Sequence, residues 1–185
     1  MRQISQSYRT GELSVVDVAP PRAPSGGILV QTTASLISAG TERTIVELAK
    51  KSLVGKARER PDLVAKVLDK VKREGALAAF DAVRSKLDSP IPLGYSLAGR
   101  VLEAGASARE FARGDRVACA GAGFANHADL NAVPKNLAVR VPDAVTDEEA
   151  AFVTVGAIAL HGARLLKASL GDVVAVVGLG LLGQI

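Results

Sequence analysis

Three glycines close to the carboxyl end, Gly178, Gly180 and Gly183 in "VVGLGLLGQI", have the types and spacing that most directly imply chemistry. In such a triplet the first glycine makes a tight turn and the second lets backbone approach a pyrophosphate. The third lets a helix pack closely on a strand. Amides at the positive end of the new helix then hold the phosphates. A glycine triplet alone is weak, because glycine-rich turns are common. Here a β-branched run at 173–177 precedes it and Leu181-Leu182 continues it, which favours a dinucleotide turn over a plain strand-to-helix turn. The acidic residue that grips the adenosine ribose, about 20 positions further on, would lie beyond Ile185. NAD and NADP are therefore not distinguished.

The other reactive side chains are few. The chain has one cysteine and two histidines. Cys119 follows Val117 in an expected strand and reads as a buried apolar residue rather than a reactive thiol. His127 in "FANHADL" reads as a strand-surface residue and His161 as a helix residue; neither is assigned chemistry. A single cysteine excludes an internal disulfide framework and suits a reducing compartment. The start "MRQISQSYRTGEL" has no apolar run of a secretory signal, and no stretch approaches the roughly 20 apolar residues of a membrane span. A cytoplasmic protein without membrane contact is expected. With no Trp, two Tyr and four Phe, there are too few aromatic platforms for stacking on single-stranded nucleic acid, so no nucleic-acid partner is expected.

The elements that must carry these residues follow from local pattern. A chain of 185 residues holds one generous domain, or one domain and part of another. In 11–42, "ELSVVDVAP" and the β-branched "ILVQTTASLIS" read as strands around the turn cluster "PRAPSGG". From Thr44 to Asp88 the period becomes helical. "TIVELAKKSLVGKARER" is a weaker helix. "PDLVAKVLDKVKREG" sets Leu63, Val64, Val67, Leu68 and Val71 on one stripe, with Pro61 and Asp62 at its start and Gly75 as its stop. "GALAAFDAVRSKLDSP" repeats this with Leu77, Phe80, Val83 and Leu87. Between Arg43 and Pro90 stand twelve Lys/Arg against seven Asp/Glu, which leaves the rest of the chain near neutral. A solvated helical face accounts for that excess; a patch for an anionic partner is the sharper reading.

Short strands return in "YSLAGRVLEAG", "GDRVACAG" and "LAVRVPDAV", as in a small barrel or sandwich. "TDEEAAFVTVGAIALHGARLLKASLGD" is the longest helical pattern. Thr146 and Glu149 form a capping box at its start, and Gly171 lies past its end. "DVVAVVGLG" then reads as a strand buried on both faces of a parallel sheet.

The ordered motifs "SAGTE", "PLGYSLAGRV", "GDRVACAG", "AAFVTVGAIAL" and the glycine turn resemble the medium-chain dehydrogenase/reductase superfamily, the zinc-type alcohol dehydrogenase-like proteins. The resemblance implies a mixed α and β fold: a GroES-like β-barrel with an inserted helical block, then the first strand and glycine turn of a Rossmann α/β domain. On this reading 1–42 and 91–145 form the GroES-like catalytic domain. Residues 43–90 are a basic helical insert, and 146–185 begin an incomplete Rossmann domain. The insert resembles the bi-domain oxidoreductases, in which a second domain of the Gfo/Idh/MocA type follows. Association with polysaccharide or sugar metabolism is implied for that branch.

The family's zinc motifs are altered here. Its Cys-Gly-Thr-Asp aligns with Ala39-Gly40-Thr41-Glu42, and its Gly-His-Glu with Gly94-Tyr95-Ser96. The four-cysteine lobe is absent, and Cys119 cannot make a four-ligand site. No zinc is expected. The resemblance then implies a nicotinamide-dependent oxidoreductase like the quinone-oxidoreductase branch. It would transfer hydride to or from a carbonyl, alcohol or activated double bond of a small-molecule substrate, with NAD or NADP as cofactor. Ser38, Thr41 and Tyr95 would line the cleft. Tyr95 could donate to a developing oxyanion or simply fill the volume of the lost metal, and Ser38 and Thr41 could instead make turn hydrogen bonds. Thr154 matches a helix position near the nicotinamide ring, or bonds back to its own turn. The isolated chain is expected not to turn over. The rival reading is a non-enzymatic module that docks an anionic polymer through Lys50, Lys51, Lys70 and Lys72. A third is self-association into a homo-oligomer through the insert's apolar stripes.

Overall fold

The computed structural model describes residues 1–7, 10–50 and 90–185, the side chains of 45 and 48–50 excepted, together with scattered positions between 55 and 81. Two antiparallel sheets carry the fold. The smaller has the order β2-β1-β4, with β1 at Arg2–Ser7, β2 at Leu13–Asp17 and β4 at Pro90–Pro92. The larger has the order β7-β3-β5-β6-β8, built from β3 (Gly27–Ser35), β5 (Ser96–Ala104), β6 (Arg116–Ala120), β7 (Leu130–Pro134) and β8 (Ala138–Arg140). Register shifts between β3 and β5 at Leu29/Val30 and Thr32/Ala34 bend the central strands and curl the sheet. The helices are α1 (Ala39–Lys50), α2 (Asp147–Ala150), α3 (Val153–Leu166) and α4 (Leu181–Gln184).

Both faces of the larger sheet are covered, and alternation along the strands explains how. Leu97 pairs with Cys119 across β5 and β6, and the adjacent pair is Ala98 with Ala118. Leu97 and Cys119 point into the barrel core with Ile28, Val30, Val101, Val117 and Val133. Full burial of each of the large aliphatic side chains contributes about 1.5–3 kcal/mol. Ala98 and Ala118 point the other way, into a second core with Leu36, Ala150, Ala151 and Val155. Their small side chains let α2 and α3 lie directly on the sheet. That contact sets the site described below.

Four local expectations change. The polar β1 was not anticipated as a strand; it pairs with β2 and β4 and buries Ser5 and Gln6 completely. The helix expected from Thr44 begins at Ala39, inside the stretch read as strands and turns, and so runs across the expected 42/43 domain boundary. The Glu42 amide donates to Ser38 O at 2.9 Å, and the Glu42 carboxylate accepts from the Ser38 amide at the same distance. The long helix after Thr146 is broken in two. Its capping box forms as expected. However, Ser96 Oγ donates to Ala151 O at 2.6 Å and accepts from the Thr154 amide at 3.2 Å. A hydroxyl inserted into the ladder interrupts a helix. The second piece closes at Lys167, which takes the left-handed position at φ 51°, rather than at Gly171.

The run 172–179 forms no strand, contrary to the expected first strand of a parallel sheet. Val173 and Val177 are fully exposed. A doubly buried strand exists only between neighbours that accept its hydrogen bonds, and no described strand pairs with this one. Between α1 and β4, the described positions 55, 58, 65, 69, 71–73, 77, 80 and 81 are helical. Gly75 ends the first run as expected, with φ +90° and its amide donating to Val71 O at 3.0 Å. Leu63, Val64, Val67, Leu68, Val83 and Leu87, and with them Lys51 and Lys70, lie outside the described residues. Leu77 and Phe80 are exposed.

Candidate functional site

The entry to α1 carries two of the expected cleft residues. Ser38 is buried and precedes the helix, and Thr41 is exposed within its first turn. Ser38 Oγ donates to Thr41 Oγ1 at 3.3 Å. Beneath them the Glu42 carboxylate faces His127, whose Nε2 lies 3.2 Å from both carboxylate oxygens. The other ring nitrogen, Nδ1, is 2.9 Å from Ser35 Oγ. His127 is thus buried in a loop before β7, not on the surface of a strand as its local sequence suggests. Nothing within its own segment points to this pairing, since its carboxylate partner is 85 positions away.

Tyr95 and Thr154 are brought together. Thr154 Oγ1 donates to Tyr95 O at 3.2 Å rather than to its own helical turn. With the Ser96 bonds already given, this stitches the start of β5 to the start of α3. The Tyr95 side chain is half-buried and packs on the second core, as do Val153 and Leu181. Leu36 belongs to the same core, and its amide donates to Ser96 O at 3.0 Å. Ser38 follows two residues later. Ser96, read from sequence only as a lost carboxylate, is the hinge of this arrangement.

The glycine turn reaches the same core through Leu181, the first residue of α4. Gly178 has φ +101°, a conformation that L side chains rarely adopt. Gly180 faces open space, with no atom within 4 Å of where a Cβ would stand. A Cβ on Gly183 would collide with the carbonyl oxygen of Gly178. A tight turn at Gly178, open space at Gly180 and a close contact at Gly183 are compatible with the backbone of a dinucleotide turn. These residues fit the group.

They do not fit zinc. At the aligned positions stand Ala39, Tyr95 and Ser96, and the Ser96 hydroxyl is committed to Ala151 and Thr154. Cys119 is in the barrel core, where burial pushes its thiol up to about 12. Among the described residues no three His, Cys, Asp or Glu side chains gather as a metal site would need. A separate cavity of about 370 Å³ between Arg100, Asp115, Arg116, Arg140 and Asp143 lies apart from this site. Two of its three guanidinium groups are engaged, Arg116 with Asp147 and Arg140 with Asp115.

No protein-family model and no curated protein matches the chain. Solved structures do. Galactitol-1-phosphate dehydrogenase from Escherichia coli superposes with a TM-score of 0.70 at 15% identity, over 99% of this chain and 50% of that one. 2R,3R-butanediol dehydrogenase from Bacillus subtilis gives 0.66 at 18% identity, over 98% and 52%. Quinone oxidoreductase from Escherichia coli, solved with NADPH, gives 0.61 at 18% identity, over 89% and 40%. The chain shares the fold of the corresponding half of these solved dehydrogenases and oxidoreductases, with curled antiparallel sheets in a mixed α and β architecture. The chain spans about half the length of the solved structures it matches. No described helix is long and apolar enough to cross a membrane.

Proposed function

We propose that this chain forms the substrate-facing part and the first cofactor contact of a nicotinamide-dependent oxidoreductase that works without zinc. The observation that carries the reading is the glycine turn. Gly178 takes a positive φ, Gly180 is open and Gly183 is closely packed, and Leu181 docks the turn on the same core that Tyr95 packs against. Gly178 to Gly183 would hold the diphosphate of NAD or NADP. The bound dinucleotide would supply or accept the hydride. The chain's own residues then have three tasks. Tyr95 Oη, with the Ser38 and Thr41 hydroxyls, would donate to the substrate oxygen on which charge develops, in place of a Lewis-acid ion. Thr154, bonded to the Tyr95 carbonyl, would hold that corner of β5 against α3. The second core would exclude water from the reacting face.

The substrate class is a small molecule bearing a carbonyl, an alcohol or an activated double bond. Completion of the cofactor site would require further parallel strands beside 172–177, so the 185-residue chain alone should not turn over. The test is dinucleotide binding, followed by the fluorescence of NADH and NADPH, for this chain and for a form continued through a complete sheet. The continued form should bind at least tenfold more tightly, lose binding on Gly183→Ala, and keep its activity in the presence of a zinc chelator. Unchanged binding by Gly183→Ala, or activity abolished by the chelator and restored by zinc, would refute the reading.

A further inference from the structure

His127 joins three segments that are far apart in sequence. Its backbone is held on both sides: its amide donates to Leu93 O at 2.7 Å, and its carbonyl accepts from the Ile4 amide at 2.8 Å. The ring lies against Gly94, where a Cβ would come within 2.6 Å of His127 N and 3.0 Å of its Cγ. From this fixed seat Nδ1 meets Ser35 at the end of β3, and Nε2 meets Glu42 in α1. The side chain of His127 is only 4% exposed and that of Glu42 only 11%. A carboxylate at that depth keeps one orientation only if its oxygens are satisfied. Oε1 accepts from the Ser38 amide at 2.9 Å as well as facing the imidazole.

We propose that Glu42 and His127 are a positioning pair: the histidine holds the carboxylate, and the carboxylate holds the Ser38 amide. Together they fix Ser38, and through it Thr41, at the entry to α1, anchored to a histidine seated against Gly94. The motif "AGTE" is tied to His127 by a side-chain hydrogen bond, and His127 is tied by its backbone amide to Leu93 O, next to "GYS". The arrangement requires an Nε2 proton directed at Glu42; Ser35 then donates to Nδ1 when the ring is neutral. A site held by such supporting hydrogen bonds keeps its geometry at little cost in flexibility.

The proposal takes Ser38 and Thr41 as cleft donors from the preceding reading, but its test does not need turnover. Amide hydrogen exchange is followed by NMR on the 185-residue chain for wild type, His127→Phe and Glu42→Ala. In both variants the Ser38 amide should exchange about tenfold faster or more, as expected when a charge-assisted hydrogen bond is lost, while the central amides of β3 and β5 keep their protection. Glu42→Gln, which retains an acceptor for Ser38, should restore most of that protection. Wild-type His127 should also show a slowly exchanging ring Nε2–H, assigned with His161→Gln, that disappears in Glu42→Ala. A folded His127→Phe chain with wild-type exchange at Ser38 overturns the proposal. So does the absence of the protected ring proton in wild type, a result that stands even if the substituted chains do not fold. In an active enzyme, His127→Gln should lower kcat with KM for the dinucleotide unchanged. An enzyme without dinucleotide activity would defeat the oxidoreductase reading and leave the exchange pattern to judge the pair.

Discussion

Replacing Gly94 by alanine tests how tightly the site is built around His127, and the structure supplies its own control. Gly94 and Gly114 have nearly equal backbone angles, φ +97° and +93°. Any L residue at either position carries a conformational cost of about 1–3 kcal/mol. The surroundings differ. At Gly114 a Cβ meets nothing within 4 Å, whereas at Gly94 it stands 2.6 Å from His127 N and 3.0 Å from Asn126 C. Both contacts are backbone atoms that cannot rotate away, so the 126–127 loop must shift. Overpacking of this kind costs about 1–3 kcal/mol beyond the conformational part. Gly94→Ala should therefore destabilise the chain by about 1–3 kcal/mol more than Gly114→Ala. With a urea slope of about 1–3 kcal/mol per molar, the gap in midpoint should be about 1 M. Urea unfolding followed by circular dichroism reads both variants directly. Equal midpoints would show that the loop yields freely and that Gly94 does not seat His127.

Other consequences are as direct. Cys119, with its thiol pushed up to about 12 by burial, should resist a thiol reagent at pH 8 in the folded chain and react at once in guanidinium. Because folding favours the neutral thiol, its contribution to stability is full below the ordinary thiol range and is lost as pH rises toward about 12. Arg116 binds Asp147 at 2.7 Å and Val145 O at 2.6 Å, so Arg116→Met should cost about 2 kcal/mol in chemical denaturation; a loss under about 0.5 kcal/mol would count against it. Arg116, and after it Thr33, holds the Asp147 carboxyl below the usual aspartate range. The stability this lends is complete above about pH 4 and is lost as pH falls through the lowered value, so an acid titration of Arg116→Met should be flatter there than that of wild type. Thr146→Ala removes one half of the capping box and should cost about 1 kcal/mol, with Thr146→Ser restoring most of it in thermal melts.

The legible parts of this chain are those whose cause lies within a few residues. The β-branched runs around Val30 and Val117 form β3 and β6, and Thr146 with Glu149 caps α2. Gly75 ends its helix, and Cys119 is buried in the barrel. Among candidate site residues, Thr154 bonds to the Tyr95 carbonyl, a partner that neither reading of Thr154 gives it. Other features depend on partners far along the chain. β1 carries Ser5 and Gln6 at full burial, and its polar pattern argues against a strand until β2 and β4 pair with it. The helical pattern after Thr146 gives no hint that Ser96, 55 positions earlier, will break it. The run 172–179 shows the reverse case: its composition suits a buried strand, yet no described neighbour accepts its hydrogen bonds and it joins no sheet.

Local sequence alone thus determined the capped helix start, the barrel strands and the steric character of the glycine turn. Each follows from torsional preference, periodicity or the absence of a Cβ. Only the tertiary structure decided that His127 faces Glu42, that Ser96 divides a helix and that Leu181 seats the turn on the second core. A hydrogen bond or packing contact across such separations exists only when the intervening elements fold into place, and no local pattern encodes which partner will arrive.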